Sequence, residues 1–224
     1  MFVAAMWFLA APADGRDTQN KRLAHCQAHW WGNLPDYTMH LFVREATELS
    51  TTIDNLKDDS DSSSIRKILQ IMPAVADLVA RIQIWDPDVS SVDIEYSDSV
   101  HHFNEVWKQG ILCYIYHEIY CLPPDHDLLQ ACVASAIAPL SNLSWLQTCL
   151  FPVFIVAVHA RTQEARDAFE RSLMDMHKTL AFQAPLSIVF VLKTIWEQLD
   201  ADKTCSVGWR DVGKEMELEL NVLL

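Results

Sequence analysis

Four groups of residues in this sequence have types and spacings suited to chemistry. The run Asp58-Asp59-Ser60-Asp61 clusters carboxylate oxygens. Hard cations favour such clusters, and Mg²⁺ held by Asp58, Asp59 and Asp61 would complete its shell with a substrate diphosphate. His25 and His29 stand four residues apart with Cys26 beside them, a spacing that shares one helix face. Zinc there would need a third and a fourth ligand. Cys113, His117 and Cys121 repeat at intervals of four in an apolar stretch. A thiol beside an imidazole is a nucleophile when the imidazole lowers its pKa, with Glu118 or Asp125 as the nearby acid. His101-His102 offers an acid or base near neutral pH.

Each group also has a plainer reading, and the plainer reading is the expectation. The carboxylates sit in residues 57–64, which are acidic, serine-rich and free of apolar side chains, so a solvated loop is expected. Asp58, Asp59 and Asp61 are therefore only weak metal candidates. The His25/His29 pair reads as core or solvent histidines. The Cys113/His117/Cys121 trio reads as two packed thiols and a hydrogen-bonded imidazole. His101 and His102 read as a solvated first turn. No glycine-rich phosphate loop, no G-x-S-x-G and no H-E-x-x-H occurs in the sequence. No catalytic residue, cofactor or bound metal is expected.

The elements that would position these groups are helices. Half of the 224 residues are hydrophobic and only five are glycine. Apolar residues recur near a period of 3.6 in several segments, so a single all-α domain is predicted. Helices are expected over 37–53, from Ile65 through a restart at Pro73 to Ile82, over 103–120, 125–140, 145–160 with a kink at Pro152, 164–180 and 185–199. Residues 86–99 read as a loop. Residues 209–224 alternate in a strand-like way. The eight tryptophans include Trp107, Trp145, Trp196 and Trp209, which fall in the helical frame and are expected as core pillars. An apolar ligand pocket near Trp107, Trp145 and Trp196 is a further expectation.

Charge and cysteines narrow the partners. Thirty acids against 17 Lys and Arg give a formal charge of −13. Such a surface repels phosphate backbones, so no direct nucleic-acid contact by this chain is expected. The six cysteines contain no C-x-x-C pair and no zinc-cluster spacing, and they read as free thiols in a reducing compartment. The opening MFVAAMWFLAAPADGR lacks the positively charged start of a signal peptide and reads as a core helix segment. No membrane segment is expected.

Four stretches are more specific together than singly: ILQIMPAVADLVARI, VWKQGILCYIYHEIYCLPP, WLQTCLFPVFIVAVHARTQEARDAFERSLMDMH and VLKTIWEQLDADKTCSVGWRDV. In this order and spacing they resemble the fungal-specific transcription factor domain, the helical regulatory region of fungal zinc-cluster activators. Gly110 stands where that pattern often has alanine, and His117 where it often has arginine. The resemblance is best over 106–212. It implies a helical core over 65–224, a loosely matched helical segment over 1–56, and the acidic serine-rich loop between them. It also implies transcription regulation through effector or protein binding, without a DNA-binding module in this sequence. Partners would be proteins or a small apolar effector, and a homodimer is compatible. The nucleus is the expected location, with the cytoplasm as alternative. The competing function is a small helical isomerase or cyclase of fungal secondary metabolism built on the same scaffold.

Overall fold

The computed structural model describes residues 36–58, 62–90, 92, 94–143 and 149–201. Seven α-helices and no strand occur among them, as the all-α prediction requires. They are α1 (Tyr37–Asp58), α2 (Ser62–Ile84), α3 (Ile94–Tyr114), α4 (Asp127–Leu140), α5 (Leu150–Ala157), α6 (Gln163–Leu180) and α7 (Ala184–Ala201). A wide π turn, Ile115–Ile119, prolongs α3.

The architecture follows from which helices bury more than one face. Val100, Phe103, Val106, Trp107, Ile111, Leu112 and Cys113 of α3 are all buried, so α3 takes neighbours on several sides. It packs against α4 and α5 on one flank and against α1 and α2 on the other. Two antiparallel hairpins cover this centre. In the first, Arg81 late in α2 reaches Glu45 early in α1, and Trp85 stands edge-on to Phe42 at 6.3 Å between centroids. In the second, Arg166 early in α6 binds Asp200 at the end of α7. This hairpin docks through α4 and α5.

Local chemistry sets the helix ends. Thr162 caps α6 by accepting a hydrogen bond from the Ala165 N–H at 3.2 Å. Ala181 closes it in the left-handed region at φ 55, a position glycine usually takes. His126 caps α4 through its ring, which accepts from the Leu128 N–H.

Several boundaries differ from the sequence expectation. The predicted loop over 57–64 is largely helical: α1 runs through Asp58 and α2 begins at Ser62. Pro73 does not restart a helix but lies inside a continuous α2. Its ring deprives the Leu69 carbonyl of its usual partner, and Leu69 and Pro73 both lie on the exposed face, which is open to solvent. Helix α3 begins at Ile94, inside the predicted loop 86–99; its first turns are exposed and carry no apolar period, which is why they read as loop. Pro152 falls in the first turn of α5, where a missing N–H costs little, rather than at an interior kink. The strand-like stretch 209–224 and the apolar opening lie outside the described residues.

Candidate functional site

Polar side chains gather where α3 ends. The π turn carries its hydrogen bonds one residue further than an α-helix does, with the Tyr120 N–H donating to the Ile115 carbonyl at 3.1 Å. The extra residue turns everything after it by roughly 100° about the helix axis. Cys121 then takes a left-handed backbone at φ 53. Spacing of four therefore no longer keeps a common face, and the trio Cys113, His117 and Cys121 does not converge.

Cys113 packs against Cys132 of α4 in the core, and burial, reinforced by Cys132, pushes its thiol well above the usual range. A thiol so held stays protonated and unreactive. The Cys121 sulfur instead accepts from the Lys57 ammonium at 3.5 Å. His117 turns to its neighbour, with Nδ1 3.0 Å from the Glu118 carboxylate.

The partner that His117 does find is His159, just past the end of α5, with ring centroids 4.9 Å apart. His159 is 1% exposed, and its Nδ1 meets no partner among the described residues. Burial, with His117 and Arg161 adding positive charge nearby, lowers its pKa to about 3. It is a neutral imidazole at physiological pH.

Around it, carbonyls at the end of α5 accept side-chain donors from three other helices. The Trp196 indole N–H of α7 donates to the Ala157 carbonyl at 2.9 Å. Gln130 of α4 donates to the His159 carbonyl at 2.8 Å and to the Pro124 carbonyl at 2.7 Å. Arg166 of α6 donates from Nε to the Ala160 carbonyl at 3.1 Å. Its guanidinium grips Asp200 bidentately at 2.6 and 2.8 Å and lies over the Trp196 ring at 5.5 Å. A helix end without glycine leaves such carbonyls free, and long side chains from the neighbours close them here. This knot joins four helices. At its centre is the neutral imidazole of His159.

The other sequence candidates scatter. Asp58 ends α1, while Asp59 and Asp61 lie outside the described residues. His25, Cys26 and His29 also lie outside them. His101 and His102 stand inside α3 and not at its start; His101 Nδ1 is 3.8 Å from Asp86. Trp107 and Trp196 are 7% and 5% exposed. Their rings meet the chain's own side chains, Phe103 and Phe151 for Trp107 and Arg166 for Trp196. Trp145 lies outside the described residues. A cavity of about 170 Å³ does open between α4 and α6, lined by Ile137, Leu140, Ala168, Arg171, Ser172 and Asp175 among others. No described helix is long and apolar enough to cross a membrane.

His159, Gln130 and Arg166 were not legible as a group. Their only signal is one imidazole ending the apolar run 149–158, followed by two arginines at 161 and 166.

No curated protein and no solved structure matches this chain. A family model does, the fungal specific transcription factor domain, over residues 15–223, which is nearly the whole sequence. With all-helical packing and a matched span of that extent, the chain belongs to the fungal-specific transcription factor domain family.

Proposed function

We propose that this chain is the regulatory body of a transcription factor, working in the nucleus by engaging a protein partner and leaving DNA contact to another module. The family match over residues 15–223 carries the reading. The formal charge of −13 supports it, since an acidic surface opposes the counterion-releasing contacts on which DNA affinity rests. Among the described residues the interior offers little room for a small apolar effector, and a protein partner is the reading taken. Pockets for drug-sized ligands hold about 300–1,000 Å³. The cavity between α4 and α6 is smaller, at about 170 Å³, and Trp107 and Trp196 are covered by the chain's own side chains.

The test is to tether the full chain to a heterologous DNA-binding module upstream of a reporter. Reporter output should rise or fall relative to the module alone. Unchanged output at equal protein level would overturn the proposal. In gel-shift titration the untethered chain should show no sequence-selective DNA binding.

A further inference from the structure

Helix α2 has two apolar faces, and only one is covered by other helices among the described residues. Val75, Leu78 and Ile82 are buried against α1 and α3. On the other side Ile65, Leu69, Pro73, Ala76 and Ala80 recur at spacings of four, four, three and four and are all exposed. Ile65 and Leu69 are 66% and 65% exposed, one turn apart on one face. At 3.6 residues per turn these five positions form one narrow stripe along most of the helix. Exposed apolar stripes of this kind mark interaction surfaces.

We propose that this stripe pairs with the same stripe of a second copy, as an antiparallel helix pair about a two-fold axis. The order of side-chain sizes selects that partner. The bulky residues Ile65 and Leu69 lie at the start of the stripe and the small residues Ala76 and Ala80 at its end. With the axis between Met72 and Pro73, antiparallel pairing sets Ile65 at the level of the partner's Ala80 and Leu69 at the level of the partner's Ala76. Each large side chain then meets a small one, which lets two helices approach closely. A parallel pair would set large against large and small against small.

Charge points to the same register. Arg66 and Asp77 are exposed and border the stripe along the same edge. In a two-fold antiparallel pair that edge faces its own copy. The register sets Arg66 within roughly 3 Å, along the helix axis, of the level of the partner's Asp77, at 1.5 Å per residue. Two symmetric ion pairs then close the edge. Asp77 already receives Arg81 Nε at 2.8 Å, and its side chain remains 67% exposed, open to a second cation. A contact one helix wide lies at the small end of stable interfaces, which bury about 1,200–2,000 Å². Reversible dimerisation at micromolar concentrations is the expected strength.

Sedimentation equilibrium on the full chain tests the pairing. The chain should be in monomer–dimer exchange between about 1 and 100 μM, the weak, reversible range expected of a small interface. Leu69→Glu puts a carboxylate from each copy against the partner's Ala76 inside the pair and should raise the dissociation constant at least about tenfold. Its circular dichroism should be unchanged, because Leu69 is exposed in the monomer. Pro73→Cys places a thiol beside the axis and should give a disulfide-linked dimer under mild oxidation. Ala74→Cys, off the stripe, should match the wild type, which carries the exposed Cys121 as background. A chain monomeric throughout would overturn the proposal. So would a dimer unaffected by Leu69→Glu, or equal cross-linking of Pro73→Cys and Ala74→Cys, since either would put the contact elsewhere.

Discussion

Alanine in place of Gly110 should destabilise this protein, although glycine to alanine inside a helix ordinarily does the reverse. Gly110 lies in the last third of α3, where α5 crosses it. In a free helix Gly110→Ala would gain about 1 kcal/mol from backbone entropy. Here the new Cβ would stand 2.5 Å from Cβ and 2.8 Å from Cα of Pro152, with the Pro152 carbonyl oxygen at 3.3 Å. Carbon atoms pack at about 3.5–4.0 Å, so relief needs a shift of roughly 1 Å. Neither obstacle can rotate aside: one belongs to a proline ring and the other to the backbone. The helices must separate, and the contact of Trp107 with Phe151, at 6.1 Å between centroids, loosens with them. Overpacking a rigid core costs about 1–3 kcal/mol, and two immovable atoms put this site at the upper end. The net loss is then about 1–2 kcal/mol, or a Tm lower by about 2–8 °C at this chain length. Differential scanning calorimetry of wild type and Gly110→Ala measures it. A Tm equal to or above wild type would refute the close crossing of α3 and α5.

Trp107→Ala and Trp196→Ala should each cost about 3–5 kcal/mol in urea melts, as loss of a buried indole does. Phenylalanine should separate the two sites. Trp196→Phe takes away one of two donors to the Ala157 carbonyl, which keeps the Ala160 N–H at 3.0 Å, whereas Trp107→Phe removes an N–H that meets no acceptor among the described residues. Trp107→Phe should be milder by about 1 kcal/mol. Asp200→Ala should lower stability by about 1–2 kcal/mol in the same assay, less than for a fully enclosed pair, because Asp200 is 61% exposed while Arg166 is 9% exposed. His159 sets a pH dependence. Its folded pKa of about 3 lies below the ordinary 6.5, so between these values the unfolded chain binds the extra proton. That share of stability is complete above pH 6.5 and falls as the pH drops towards 3, by about 2 kcal/mol at pH 5. Thermal melts at pH 7.5 and 5.0 should show the drop in wild type and a smaller one in His159→Gln; equal drops would rule out His159 as the source.

The helices with one wet face were plain in the sequence. Over α6, Ala165, Phe169, Leu173 and Met176 repeat at helical spacing against charged neighbours, and all four are buried. The interior helix ends were harder. The first turns of α3 are solvated and give no period to read, so its start at Ile94 looked like loop. The acidic stretch 57–64 looked like loop because composition says nothing of a helix carried onward by its own hydrogen bonds from a buried Ile53. The knot around His159 was hidden for another reason. It is a tertiary device in which Gln130, Arg166 and Trp196 come from three helices to cap the end of a fourth. No local pattern encodes a carbonyl taking a second donor from 39 residues away. Of the two packed thiols expected at Cys113 and Cys121, only Cys113 is buried, because spacing of four presumes an unbroken α-helix and the π turn brings Cys121 to the surface.

That π turn bears on how this chain should be aligned with its relatives. A helix with such a turn holds one residue more than its regular ladder needs, as a helix does after a single insertion that it absorbs without breaking. A relative lacking the turn would be one residue shorter between the buried Cys113 and Cys121, and the gap belongs within Ile115–Ile119. Placed before Phe103 instead, the gap would shift every position of α3 by a residue. The inward positions Val106, Trp107 and Ile111 would then be matched to outward ones, and a preserved core would read as divergence. In an alignment of packing positions, the place of one gap decides whether a common interior is seen.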